Sequence, residues 1–285
     1  MRLTGIALMC GAVGCFAFLD ATAKYLGRHI DVLEVVWARY TFGFLLALLW
    51  SNPLTRPGML RSARPLLQVG RSALLLGSTV LNFFAIKYLQ LDQALTITFS
   101  TPFLVAALSG PALGEWVGRR RWTAIGVGFL GVLVVTRPGF SAIHPAALLS
   151  AGGAACYAAY ALATRILART DTSETTLFYS NLVGAIVMMP VVVAVWTAPT
   201  SLMIGLLMIA TGALASFGHY LLIRAHRLAP ASVLSPFIYS QLAWTVGLGY
   251  AVFGDVPNRW TMAGAGIVVA SGLYLLHRER VRGGR

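Results

Sequence analysis

Two ionisable residues lie inside long apolar runs. Asp20 stands in CFAFLDATAKYL and Arg39 in VVWARYTFG. A charge within a membrane span costs about 2.5–3.5 kcal/mol on insertion scales, so such a residue faces a cavity or a partner. Asp20 is about 17 residues, roughly 25 Å, from the inner end of the first run, and Arg39 is about 6 residues, roughly 9 Å, into the second from its outer end. Both therefore fall in the outer third of consecutive runs and are placed to pair. The chemistry this allows is proton coupling or anion binding, with Asp20 titrating against Arg39. The structural alternative is a plain ion pair, or an Arg39 that reaches to the interface.

Uncharged polar residues form a second set: Asn82, Thr98, Ser100, Thr101, Tyr157, Tyr160, Asn181, His219, Tyr239, Ser240, Gln241 and Trp244. As a set they suit the lining of a cavity, whereas any one alone suits an interhelical hydrogen bond. Arg39, Asn82, Thr101, Tyr157, Tyr239, Gln241 and Trp244 are the candidate substrate-binding residues. Asp20 and His219 are the candidate coupling groups. Tyr157, Tyr239 and Trp244 fall near the midplane, away from the interfacial belt that Trp and Tyr favour. There they suit a flat or amphipathic organic molecule, a flavin ring included, and equally suit core packing.

Enzyme chemistry lacks its parts. Cys10, Cys15 and Cys156 lie singly in apolar runs, with no C-x-x-C and no zinc spacing. Walker, G-x-S-x-G and H-E-x-x-H motifs are missing. Gly126-x-Gly128 and Gly264-x-Gly266 lie within apolar spans and read as close-packing faces, not nucleotide loops. No cofactor, metal or catalytic set is expected.

The elements that position these residues follow from composition. The 285 residues are 58% hydrophobic and 11% charged, with mean hydropathy +0.75. A soluble domain is about a quarter charged, so the class is an all-α integral membrane protein. Ten apolar segments fit a bilayer: 4–26, 33–50, 66–88, 93–113, 122–138, 145–168, 174–196, 201–224, 231–253 and 259–277. The net charge of +13 lies in short clusters between spans, without the aromatic interleaving of a nucleic-acid binder. With the N-terminus inside, sixteen Lys and Arg fall inside (Arg71 counted among them), five outside and Arg39 within a helix. That split places both termini in the cytoplasm. Arg2, the first apolar run and Ala21-Thr22-Ala23 have the look of a signal peptide. Asp20 interrupts it, and the run has a counterpart later in the chain, so it is taken as the first span.

That counterpart belongs to an internal repeat. Trp122-Thr123-x-x-Gly126-x-Gly128 recurs as Trp260-Thr261-x-x-Gly264-x-Gly266, Gly114-Glu115 as Gly254-Asp255, Cys15-Phe16-Ala17 as Cys156-Tyr157-Ala158, and Lys24 as Arg165. The offsets stay near 140 residues. Five spans per copy is an odd number, so the copies are inverted, which is the signature of secondary transporters. By the repeat, Arg39 maps near Ser180 and Asn181, and Asn82 near His219 and Tyr220. A polar cluster at the outer side thus answers one at the inner side, as two gates around a site would. Pro102 and Pro236 fall in equivalent spans and are expected to kink them.

The chain resembles the drug/metabolite transporter superfamily in its EamA-type branch. The residues that carry the resemblance are Trp37-Ala38-Arg39, Gly114-Glu115, Thr136-Arg137-Pro138-Gly139 and Gly254-Asp255, where the family usually has Glu at 255. It covers essentially the whole chain. It implies ten transmembrane helices as two inverted five-helix repeats, 1–140 and 141–277, with 278–285 a basic cytoplasmic tail. The implied function is secondary transport of a small organic metabolite across a bacterial-type inner membrane by alternating access. Riboflavin-type vitamin or S-adenosylmethionine uptake is one expectation. Export of amino acids or related metabolites, or a passive facilitator or channel, is the alternative. The expected partners are a small-molecule substrate and the lipid bilayer, with no nucleic acid. Monomer and homodimer are both compatible with the sequence.

Overall fold

The computed structural model describes residues 2–50, 57–88, 97–136, 145–254 and, except 261, 265, 268 and 272, residues 259–274. The proposed boundary at 140/141, Asp255, Thr261, Arg137-Pro138-Gly139 and the tail lie outside the described residues. Helices are α1 (Arg2–Leu26), α2 (Val32–Trp50), α3 (Pro65–Tyr88), α4 (Thr101–Leu113), α5 (Arg119–Thr136), α6 (Ala147–Leu167), α7 (Ser173–Val195), α8 (Leu202–Leu228) and α9 (Gln241–Phe253). The described residues of 259–274 are helical and form α10. No strand occurs among the described residues. In lipid every backbone group must bond within its own segment, which leaves apolar runs of this length helical.

Five helices, α1, α2, α6, α7 and α8, are long and apolar enough to cross a membrane unaided. Three of the others, α3, α4 and α9, depart for visible reasons. α3 is 24 residues long, but Gln68, Arg71, Ser72, Thr79 and Asn82 make it polar. α4 and α9 are short because their spans are broken. Residues 97–98 are helical, Phe99 and Ser100 form a turn, and α4 starts at Thr101. The ninth span begins as a helical turn, Ala231–Leu234, passes through a 3₁₀ segment, Ser235–Ser240, and only then becomes α9. Pro102 therefore sits in the first turn of α4, where its missing N–H costs nothing, and does not kink a continuous helix. Pro236 lies in the 3₁₀ segment.

The repeat is written in this geometry. α4 and α9 are each 13 residues long, and they end at Gly114 (φ 69°) and Gly254 (φ 72°). Both glycines hold the left-handed conformation that closes a helix and that a side chain resists. Packing follows the same symmetry. α1 lies on α8 as α6 lies on α3, α1 on α9 as α6 on α4, and α2 crosses α7 at the centre. A Cβ on Gly43 would meet Asn181 Oδ1 at 3.1 Å, and one on Gly184 would meet the Tyr40 ring at 2.2 Å. Gly43 and Gly184 are repeat mates, as are Tyr40 and Asn181, so the crossing closes on itself. The halves interleave, and the core is built between them.

Candidate functional site

A cavity of about 760 Å³ lies between the halves. It opens at the α1–α2 connection, lined by Gly27, Arg28 and Asp31, and runs inward to Arg39, Thr79 and His219. Its polar walls are Asp20, Ser78, Asn82, Thr98, Thr101, Gln241 and Thr245, and Phe16, Phe83, Phe84, Phe99 and Tyr157 supply aromatic faces. Of the residues expected from sequence, Asp20, Arg39, Asn82, Thr101, Tyr157, His219 and Gln241 all line it.

Two stand elsewhere. Tyr239 is buried against Phe99, ring centroids 5.8 Å apart, and covers Gly128 so closely that a Cβ there would lie 2.7 Å from its ring. Trp244 packs over Gly14 and beside Phe18, and is 47% exposed on the outer surface. Of the remaining glycines in the G-x-G pairs, Gly126 and Gly266 have open space before them.

Asp20 and Arg39 do not pair. Gln241 Nε2 donates to Asp20 Oδ2 at 2.8 Å. Arg39 donates to Thr79 Oγ1 at 2.6 Å and to His219 Nε2 at 2.9 Å, and its Nε has no partner. The carboxylate and the guanidinium stand on two walls of one void, each held by neutral groups.

His219 ties this floor to a second cluster below it. Arginine only donates, so Nε2 accepts from Arg39 and the ring proton sits on Nδ1. Nδ1 lies 2.9 Å from Tyr160 Oη, which also accepts from Arg71 Nη2 at 2.9 Å. Arg71 further donates to Thr164 Oγ1 at 2.7 Å, Ser180 Oγ at 2.6 Å and the Thr176 carbonyl at 3.3 Å, with its charge 4.4 Å above the Tyr160 ring. It is fully buried inside α3, so it does not count among the aqueous loop cations. Among the described residues, no carboxylate lies within 4.0 Å of Arg39 or Arg71. Sequence reasoning missed Arg71 as a site residue. The signal available was its position inside an apolar run.

The face below Arg71 is sealed. In the α6–α7 turn, Asp171 accepts from Ser62, from the Ala63 N–H at 3.0 Å and from Gln68 at 2.8 Å, which fastens the start of α3. Burial pushes the Asp171 carboxyl up, but these hydrogen bonds outweigh it and hold it below the usual carboxylate range. Glu115 bridges three elements, pairing with Arg165 at 2.8 Å and accepting from the Ala231 N–H at 2.9 Å. From the α4–α5 turn it thus also holds the broken ninth span. Arg227 donates to the Asp171 carbonyl at 3.1 Å.

The EamA-like transporter family matches the chain over residues 3–137 and again over 144–276. The chain belongs to that family. It is a multi-pass transporter of the ten-helix, two-repeat membrane fold, in the drug/metabolite transporter superfamily, and not an enzyme. Its setting is a bacterial inner membrane and its substrate a small molecule. Among relatives, an S-adenosylmethionine uptake transporter of Rickettsia conorii is 26% identical, over 98% of this chain and 94% of that protein. A riboflavin transporter of Vibrio cholerae is 26% identical, over 97% and 94%. A pseudopaline exporter of Pseudomonas aeruginosa is 25% identical, over 97% of each.

Proposed function

We propose that this transporter takes up S-adenosylmethionine or a closely similar zwitterionic metabolite by alternating access, with Asp20, Arg39, Asn82, Thr101, Tyr157 and Gln241 as its binding residues and His219 as the link to the gate. One observation carries the reading: the unpaired Asp20 carboxylate and the unpaired Arg39 guanidinium face one cavity. An amino-acid end meets both, carboxylate on Arg39 and ammonium or sulfonium on Asp20. The aromatic walls suit the flat base. The void is also within the 300–1,000 Å³ range of small-molecule sites. A neutral ligand such as riboflavin would use the aromatic walls and leave both charges uncompensated. The sealed layer favours a carrier over a continuous channel. The sealed face carries Arg61, Arg64, Arg165, Arg169, Arg224 and Arg227, and the open face Lys24, Arg28 and Arg259. Positive residues mark the cytoplasmic side, so the open face is outer, the termini are inner and the conformation is outward-facing. The halves are assigned as 1–140 and 141–277, with a cytoplasmic tail after 277.

Counterflow in proteoliposomes tests this. Vesicles loaded in turn with S-adenosylmethionine, riboflavin or amino acids are given the labelled compound outside. Saturable counterflow of S-adenosylmethionine is expected. Saturation with riboflavin or an amino acid alone would replace that substrate, and unsaturable flux would restore the channel.

A further inference from the structure

Arg71 has no role in an outward-facing binding site, yet its placement mirrors that of Arg39. Arg39 is the eighth residue of α2, which starts at the open face, and Arg71 the seventh of α3, which starts at the sealed face. At 1.5 Å per residue each stands about 10 Å in from its own face. Both donate only to neutral acceptors, and His219 and Tyr160 join them in one hydrogen-bonded chain.

We propose that Arg71 is a second carboxylate-binding site of the transport cycle, taking the substrate's carboxylate when the sealed face opens, as Arg39 takes it from the open face. This rests on the reading of a carboxylate-bearing substrate given above. The acceptors of Arg71 lie on α6 (Tyr160, Thr164) and α7 (Thr176, Ser180), and Arg71 itself on α3. An inward cavity opens only if α3 parts from those helices. That parting strips the guanidinium of its partners and turns it toward the new void; no described carboxylate lies within 4.0 Å of it, and the nearby Asp171 is already engaged by Ser62, Ala63 and Gln68. An anion from the substrate fits that vacancy. A gate meant only to close would do so at lower desolvation cost with neutral side chains. The chain through His219 supplies the timing. When Arg39 turns its donors to a bound carboxylate, His219 Nε2 loses its donor, and the ring that holds Tyr160 against Arg71 is released.

The test has two arms. In purified wild-type protein, phenylglyoxal labelling of Arg71 is followed by peptide mass spectrometry with L-methionine or L-methioninol present. Labelling of Arg71 that methionine suppresses and methioninol does not is expected. An Arg71 that never reacts in the folded protein, or equal suppression by both compounds, would overturn the proposal whichever metabolite is carried. In oriented proteoliposomes, Arg71→Gln should raise KM for S-adenosylmethionine about tenfold from the sealed side and leave it within about twofold from the open side, with Arg71→Lys keeping most of the wild-type value. Equal changes from both sides, with both variants folded, would make Arg71 a latch only. Absence of wild-type counterflow would sink the S-adenosylmethionine reading and leave the labelling result to decide on Arg71.

Discussion

The open and sealed faces are made by the same five-helix unit inserted twice, yet they hold their polar residues differently. At the open face, Asp20 and Arg39 keep apart and look into a void. At the sealed face, Arg71, Gln68, Asp171, Thr176 and Ser180 spend their hydrogen bonds on one another across α3, α7 and the α6–α7 turn. The repeat mate of Arg39 is Ser180, which serves as an acceptor for Arg71. One fold thus supplies a guanidinium to each face from different helices, α2 above and α3 below. The architecture is symmetric while the side chains are not, which allows one end to be tuned for capture and the other for closure.

Several substitutions break this contrast. The largest effect is expected from Arg39→Gln, which removes the anion anchor. Hydrogen bonds to charged groups are worth about 1.5–3 kcal/mol each, so kcat/KM should fall about a hundredfold, measured as initial uptake at equal expression. Asp20→Asn should cost about tenfold for a cationic substrate and little for a neutral one, which comparison of S-adenosylmethionine with riboflavin would reveal. Tyr160→Phe leaves Arg71 Nη2 and His219 Nδ1 without their partner. It should weaken the sealed state by about 1–3 kcal/mol, read as a lower melting temperature and faster labelling of a cysteine placed at Ser72.

Acid sharpens the contrast. The Asp171 carboxyl is held below its ordinary pKa of about 3.9, so its contribution to stability is complete above that value. It is lost as pH falls through the lower folded value. Melting measured from pH 7 to pH 5 should show this clamp's contribution in full and unchanged, and the difference between wild type and Asp171→Asn should shrink only below about pH 4. The smallest effect is expected at Trp244, which packs outside the cavity: Trp244→Leu should leave KM for substrate unchanged.

Much of the fold was legible because the bilayer imposes one length and one backbone solution on each span. Apolar run length finds the ten spans, although only five of the described helices are long and apolar enough to cross unaided. The repeat was legible because Gly114 and Gly254 end equivalent helices, a backbone demand that sequence records, and its inversion followed from the odd number of spans per copy. The breaks in the fourth and ninth spans were only half visible, since a proline marks a place of departure without saying whether the helix bends or restarts. Partners within the site were hidden. Arg39 and Asp20 are adjacent in helix order, but their hydrogen bonds go to Thr79, His219 and Gln241, 40 to 221 positions away. Which side of α9 faces the void was also hidden, because a helix apolar all round has no stripe to read. Gln241 and Trp244 were therefore grouped together, although one faces the cavity and the other faces outward.

The most direct test of two alternating faces is a pair of distances in one protein. Spin labels at residues 28 and 248 would span the mouth of the cavity, and labels at 64 and 169 the sealed face, each pair measured by pulsed electron resonance with and without saturating S-adenosylmethionine. Substrate is expected to shorten the first distance and lengthen the second in the same fraction of molecules. Two distances that stay fixed, or that lengthen together, would contradict alternating access.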